Sequence, residues 1–117
     1  VDLSALKGNH MLLVDCKHWK KPLYQSNLER IYQRQKERTE ALVKHRNLKL
    51  LEEKIGRKLP PSFYVIPIVL TLLEERFKLY NGMPIVPIVK LSAFLSELPA
   101  YMHDITTKVE VNVREVN

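Results

Sequence analysis

Residues 1–19 constrain the fold more than any other stretch of the chain. Two short apolar segments flank Gly8-Asn9, and glycine at the first central position is typical of a two-residue β-hairpin turn. Pairing outward from this turn brings Asp2 opposite Asp15. Two carboxylates then face each other, with Cβ atoms about 4.5–5.5 Å apart.

The second strand of this hairpin adds a cation to the pair. Side chains alternate between the two faces of a strand, so Asp15 and Lys17 point the same way, toward Asp2. Like charges directly opposite each other are destabilising unless a cation lies between them. We therefore expect a divalent metal ion between Asp2 and Asp15.

Length and composition predict one ordinary globular domain. The chain has 117 residues, of which 45% are hydrophobic and 27% charged, enough for a single core over residues 1–117. The lone cysteine, Cys16, excludes an internal disulfide framework and favours a reducing, cytoplasmic compartment. No apolar run is long enough for a membrane span, and no signal peptide is apparent.

Positive charge is concentrated in the first half of the chain. Residues 7–58 contain 14 Lys and Arg against 6 Asp and Glu, whereas residues 59–117 contain 5 against 6. A basic half of this kind is typical of proteins that bind a polyanion, above all nucleic acid. A solvated basic helix without a partner accounts for the same charge, so both interpretations stay open.

A helical pattern follows the hairpin. A capping box at Ser26 predicts a helix from about Asn27. Its buried stripe is predicted to contain Leu28, Ile31, Tyr32, Gln35, Thr39, Leu42 and Val43. We expect a bend or break at Asn47 and a stop at Pro60-Pro61.

Two apolar, β-branched runs at residues 63–72 and 84–90 predict strands buried on both faces. Each contains a proline, which removes a ladder donor and leaves the place of the first run in the sheet open. Residues 73–80 fit a short helix or, as we favour, a strand leading into an Asn81-Gly82 turn.

The C-terminal part adds a helix and a strand. Residues 91–98 predict a short helix capped by Ser92 and closed before Pro99. Residues 105–114 alternate and predict a half-exposed antiparallel strand, at an edge or paired with a second chain in a homodimer. Its apolar face is predicted to contain Ile105, Val109, Val111 and Val113. The whole order predicts an α/β domain, a mixed sheet flanked by helices.

Asp15-x-Lys17 is a weak signal alone, since an acid-x-Lys triplet occurs by chance about once in such a chain. Three features make the triplet a stronger signal in this chain. It lies at the end of the apolar strand 12–14, it follows Asp2 at a spacing that fits a hairpin, and it precedes a basic segment. The spacing of these charged residues resembles the signature of the PD-(D/E)xK nuclease superfamily: Asp2, twelve intervening residues and then Asp15-x-Lys17.

Val14-Asp15-Cys16-Lys17-His18-Trp19 is especially similar to the branch of Mrr-type restriction enzymes and archaeal Holliday-junction resolvases. The likeness covers residues 1–98, but only residues 1–19 carry specific positions. It implies a restriction-endonuclease-like mixed sheet with the motif on its N-terminal hairpin. It also implies a Mg²⁺-dependent endonuclease that hydrolyses DNA phosphodiesters.

The resemblance assigns roles to individual residues. Asp2 and Asp15 would hold Mg²⁺ or Mn²⁺, with the backbone carbonyl of Cys16 as a further ligand. Lys17 would orient the attacking water or stabilise charge developing on the phosphorus. Gln35 matches a glutamine that similar nucleases place near the acids, although a glutamine at the helix surface is an equal alternative.

DNA contacts are expected from a second group of residues. Trp19 lies on the face of Asp15 and Lys17, where it could stack on a base or sugar or pack at the core or its rim. Phosphate contacts or solvated charges are the two interpretations for Lys20, Lys21, Arg34 and Arg38.

Related nucleases carry a further acid on a helix before the first motif strand. The chain starts one residue before Asp2, so we expect a piece that lacks this helix. Two functions follow: a metal-dependent nuclease or its catalytic core, or a non-catalytic nucleic-acid-binding or assembly module with the same fold.

Overall fold

The protein contains a mixed six-stranded sheet with helices on both faces. Its structure is a computed structural model that describes residues 2–17, 25–72 and 76–113. Within these ranges, the side chains of residues 2–5, 25–26 and 45–46 are not described. The elements in chain order are β1 (Asp2–Lys7), β2 (His10–Lys17), α1 (Gln25–Leu42), α2 (His45–Ile55), β3 (Ser62–Thr71), β4 (Lys78–Tyr80), β5 (Met83–Pro87), α3 (Leu91–Tyr101) and β6 (Val109–Asn112). The sheet order is β1-β2-β3-β5-β4, and β6 also pairs with β3. The predicted α/β class is therefore confirmed.

The N-terminal hairpin has the predicted turn and register. β1 and β2 are antiparallel, and Asp2 is the register partner of Asp15. Gly8 has a φ of 60°, the left-handed value that the first central position of this turn type requires. The local turn chemistry was sufficient to predict this pairing.

The central pairing of the sheet joins β2 to β3 in parallel. Parallel neighbours need a long crossover, and here α1 and α2 supply it. Val69 of β3 packs with Leu28 and Ile31 of α1, so the odd-numbered residues of this strand face α1 and α2. The opposite face packs against Phe94 and Leu98 of α3.

The predicted long helix is two helices, and its boundaries differ from the prediction. α1 begins at Gln25, two residues before the predicted start, and the break lies at residues 43–44 rather than at Asn47. The Asn47 amide donates to the carbonyl of Ala41 and so satisfies the end of α1. Gly56, with a φ of 74°, ends α2, so the predicted stop at Pro60-Pro61 was wrong.

Pro67 lies within the central strand, a position that its missing N–H disfavours. β6 pairs with β3 at residues 62–65, and β5 pairs with it at residues 69–71. Pro67 therefore falls in the gap between these two partners, where this edge of β3 has no described neighbour. The gap explains how a central strand accommodates a proline.

A second hairpin joins β4 to β5. Its turn residues Asn81 and Gly82 have φ values of 48° and 81°, as a turn with two left-handed positions requires. The favoured strand interpretation is confirmed for residues 78–80, whereas residues 73–75 lie outside the described residues. The run predicted as one strand to residue 90 ends at Pro87, and a 3₁₀ turn (Ile88–Lys90) follows.

The C-terminal elements differ from the prediction in extent. Lys90, and not Ser92, is at the N-cap position of α3 and makes no side-chain capping hydrogen bond. The helix continues through Pro99, which removes only one helical hydrogen bond near its end. β6 is antiparallel to β3 as predicted, but it contains only Val109–Asn112. Ile105 packs on the α3 side and Val111 on the α2 side, so their predicted common face was wrong. No helix among the described residues is long and apolar enough to cross a membrane.

Gly82 generates a stability prediction. A Cβ at this position would lie 2.9 Å from the backbone nitrogen of Thr106 and would strain a left-handed residue. We expect Gly82→Ala to lower the free energy of unfolding by about 3 kcal/mol, measured by urea denaturation. Gly56→Ala, which meets open space at a similar φ, should cost about 1–2 kcal/mol. Equal losses in the two variants would contradict the proposed clash.

The link between α1 and β4 generates a pH prediction. The Tyr80 hydroxyl donates to Glu29, and this hydrogen bond lowers the pKa of the Glu29 carboxyl below its ordinary 4.5. Because the folded pKa is below the unfolded one, the bond stabilises the fold above about pH 4.5, and this stabilisation is lost as the pH falls through the lowered pKa.

Tyr80→Phe should therefore raise the pKa of Glu29 in a carboxyl NMR titration. Tyr101→Phe is the matched control, because the hydroxyl of Tyr101 donates to Glu97 instead. An unchanged pKa of Glu29 in Tyr80→Phe would contradict the assigned cause.

Candidate functional site

Asp15 is a buried carboxylate near the carboxyl end of β2. Its residue surface is only 2% exposed, and its register partner on β3 is Val69 on the face covered by α1. A charge in this environment costs free energy unless other charges or hydrogen bonds compensate for it. The surroundings of Asp15 therefore decide what this position can do.

Two cations lie beside the Asp15 carboxylate. Lys17 Nζ is 3.4 Å from Oδ1, and Arg38 Nη1 is 3.9 Å from Oδ2. Burial lowers the pKa of the Arg38 guanidinium, which nevertheless keeps its charge near neutral pH. Among the described side chains, two basic groups therefore approach one carboxylate, and the side chain of Asp2 on the opposite strand is not one of those described.

Two buried oxygens at this site have no hydrogen-bond partner among the described residues: Oδ2 of Asp15 and Oγ1 of Thr71. Thr71 ends β3, is the register partner of Lys17 and follows Val69 by two residues, so it shares the face of Asp15. Buried polar atoms in folded proteins nearly always have partners, which include bound ions and water. Each of these oxygens can still take a hydrogen bond from a further polar group.

Gln35 links helix α1 to the sheet and to Arg38. Its amide nitrogen donates to the carbonyls of Leu13, at 2.9 Å, and Ile68, at 2.8 Å. Leu13 belongs to β2 and Ile68 to the neighbouring β3, so one buried amide joins helix α1 to both strands of the central pairing.

The other end of the Gln35 amide orients Arg38. Its Oε1 accepts a hydrogen bond from Arg38 Nη1 at 3.0 Å, and the same nitrogen faces Asp15. The glutamine is fully buried, so the alternative of a surface glutamine was wrong. Its described contacts are with protein groups, which makes it a residue that positions Arg38.

The structure places the remaining predicted residues as follows. Asp2 lies opposite Asp15 in register, but its side chain is outside the described ones. Cys16 packs on the other face of the sheet, against the α3 core, as strand alternation predicts. Arg34 is exposed on α1, one turn before Arg38. Trp19, Lys20 and Lys21 lie outside the described residues.

The fold therefore brings together Asp15, Lys17, Gln35 and Arg38, as well as one residue that the sequence analysis missed. Thr71 belongs to the run 63–72, which the sequence predicts only as an apolar strand. The signal that could have identified it is a hydroxyl residue at the end of a buried strand that runs parallel to the motif strand. Arg38, predicted as a phosphate contact or a solvated charge, lies beside the Asp15 carboxylate, and its contact with phosphate stays a prediction.

One feature of the Asp15 cluster fits the binding of a divalent cation. Mg²⁺ prefers carboxylate oxygens, and Oδ2 of Asp15 is such an oxygen without a hydrogen-bond partner among the described residues. Among the described side chains no three His, Cys, Asp or Glu lie together, and the side chain of Asp2 is not one of them.

A separate cavity of about 230 Å³ lies between α1 and the loop before β6. Tyr32, Lys36, Pro67 and Lys108 contribute to its lining, whereas Asp15, Lys17 and Thr71 do not. The cavity includes Pro67 in its lining and is distinct from the Asp15 cluster.

Comparison with known proteins leaves the chain without an assigned relative: no protein-family model, no curated protein and no solved structure matches it.

The contacts of Gln35 generate a stability prediction. Gln35→Ala removes the donor of two buried carbonyls and leaves a small cavity, so the free energy of unfolding should fall by about 3 kcal/mol. Gln33→Ala, on the exposed side of the same helix, should change it by less than about 0.5 kcal/mol. Urea denaturation of both variants is the measurement, and a neutral Gln35→Ala would contradict the assigned bonds.

Proposed function

We propose that the protein is a metal-dependent nuclease that hydrolyses DNA phosphodiesters, or the catalytic core of one. The observation that carries this proposal is the buried carboxylate of Asp15 at a strand end. Lys17 Nζ lies 3.4 Å from one of its oxygens, and the other oxygen has no hydrogen-bond partner among the described residues. Asp2 lies opposite in register.

A restriction-endonuclease-like arrangement of the sheet is part of the same proposal. Support for it comes from the hairpin that carries Asp2 and Asp15 and from the parallel pairing of β2 with β3 through a helical crossover. These features are compatible with many α/β proteins, so the weight of the proposal rests on the site.

Asp2, Asp15 and the backbone carbonyl of Cys16 are the groups that would hold Mg²⁺ or Mn²⁺. When bound, such a cation polarises a phosphoryl oxygen and lowers the pKa of water at the site. Oxygen donors of this kind are what these hard cations prefer.

Lys17 has two tasks in the proposed reaction. Its ammonium, on the same face as Asp15 and 18% exposed, is accessible enough to orient an attacking water. It also places a positive charge where negative charge develops on the phosphoryl group. Gln35 keeps Arg38 beside the carboxylate, so that a second cation faces the incoming phosphate.

The basic first half of the chain supports DNA as the substrate. Arg34 and Lys36 are exposed on α1, and Arg34 lies on the side of the helix that carries Arg38 toward Asp15. Cations near the scissile phosphate hold a polyanion through salt-dependent contacts. Trp19, Lys20 and Lys21 stay predicted contacts.

One observation favours the second candidate, a nucleic-acid-binding or assembly module without turnover. Lys17 and Arg38 already compensate the charge of Asp15, as the partners of a buried structural ion pair would. In that interpretation the cluster maintains the fold, and the basic surface binds nucleic acid without cutting it.

Cleavage of supercoiled plasmid in Mg²⁺ or Mn²⁺ tests the proposal. We expect cutting that a chelator abolishes and that falls by about 100-fold or more in Asp15→Asn and in Lys17→Met. Asp104→Asn, an exposed acid in the turn after α3, is the matched control and should cut like the wild type.

Folding is checked by circular dichroism in each variant. Metal-dependent cutting that survives in Asp15→Asn would contradict the assigned site. A wild-type protein that binds DNA with a steep salt dependence but does not cut it would favour the second candidate.

A further inference from the structure

We propose that Thr71 is a positioning residue of the metal site: its hydroxyl holds the hydrated divalent cation beside Asp15. This inference rests on the metal dependence of the proposed function. It deepens that proposal by adding a third side chain, from a different strand, that the sequence motif does not contain.

The burial of Thr71 is the first observation. The residue is only 4% exposed, and its hydroxyl has no hydrogen-bond partner within the described part of the chain. A buried hydroxyl can usually rotate to find a partner, and leaving it without one is unfavourable. A bound water or ion is one partner that such a hydroxyl can take where the described residues offer none.

The position of Thr71 is the second observation. It is the register partner of Lys17, and β2 and β3 are parallel, so both residues lie at the carboxyl ends of neighbouring strands. Asp15 and Thr71 share one face and are displaced by two residues in register. The two oxygens that have no hydrogen-bond partner among the described residues therefore belong to the same face of the sheet, and Lys17 pairs with Asp15 and is the register partner of Thr71.

The chemistry of the two oxygens is complementary. A carboxylate oxygen binds a hard cation directly, whereas a neutral hydroxyl suits the water that Mg²⁺ and Mn²⁺ retain. Such outer contacts orient a metal and commonly change its affinity by 10–100-fold. Thr71 fits this outer role better than direct coordination, because its oxygen is an uncharged hydroxyl, whereas the direct ligands that these cations prefer are carboxylates.

Two measurements on Thr71→Val distinguish this role from a structural one: the Tm should rise, whereas the affinity for Mn²⁺ should fall. In the metal-free protein, Thr71→Val replaces an unsatisfied hydroxyl with a methyl group of similar shape, so the Tm should rise by about 3 °C. In the same variant the Kd for Mn²⁺ should increase by about tenfold. A threonine whose hydroxyl made an internal hydrogen bond would lower the Tm, and one needed only for packing would leave the Kd unchanged.

The experiment titrates the full chain with Mn²⁺ alone, follows free Mn²⁺ by electron paramagnetic resonance, and measures the Tm without metal. Thr71→Ser keeps the hydroxyl and should bind Mn²⁺ within about twofold of the wild type. Thr107→Val is the control, because the hydroxyl of Thr107 already donates to the carbonyl of Gly82. It should lower the Tm and leave the Kd unchanged.

Each outcome supports or overturns the role proposed for Thr71. Wild-type Mn²⁺ affinity in Thr71→Val, or a Thr71→Val protein that fails to fold, would overturn this inference alone. A wild-type chain that binds no Mn²⁺ would overturn both the inference and the metal-dependent nuclease. Thr71-dependent Mn²⁺ binding without plasmid cleavage would support the inference and contradict only the nuclease.

Discussion

The parallel pairing of β2 with β3 is the constraint on which the rest of the structure depends. It extends from His10 and Tyr64 to Lys17 and Thr71, and it leaves the two strand ends side by side. Because the strands run in the same direction, the chain must return along the sheet, which places α1 over one face. The same pairing therefore creates the core and sets Arg38 and Thr71 beside the motif strand.

The charged cluster contradicts the ordinary preference of a core for apolar groups. Asp15 is buried, two cations approach it from different elements, and one of its oxygens still has no hydrogen-bond partner among the described residues. A purely structural pair would gain from completing its hydrogen bonds, since partly satisfied buried charges are costly. Sites that bind a ligand often carry such a cost, which the ligand then removes.

The sequence predicted the features that depend on local chemistry. Gly8-Asn9 determined the hairpin register, and Asn81-Gly82 marked the second turn, because both turns need left-handed backbone angles. Helix ends were less predictable: Gly56 ended α2 before the prolines could, and Pro99 did not end α3. The contribution of Thr71 depends on which strands become neighbours, a long-range property that no local pattern encodes.

A crystal structure of the protein grown with Mn²⁺ tests the central claim, that Asp15 is a metal-binding carboxylate, most directly. The account predicts an anomalous peak within about 2.5 Å of Oδ2 of Asp15. It also predicts that Arg38 Nη1 lies farther than 3.9 Å from this oxygen when Mn²⁺ is bound. Arg38 unmoved beside Asp15, with no peak at saturating Mn²⁺, would contradict the account and leave a structural ion cluster in its place.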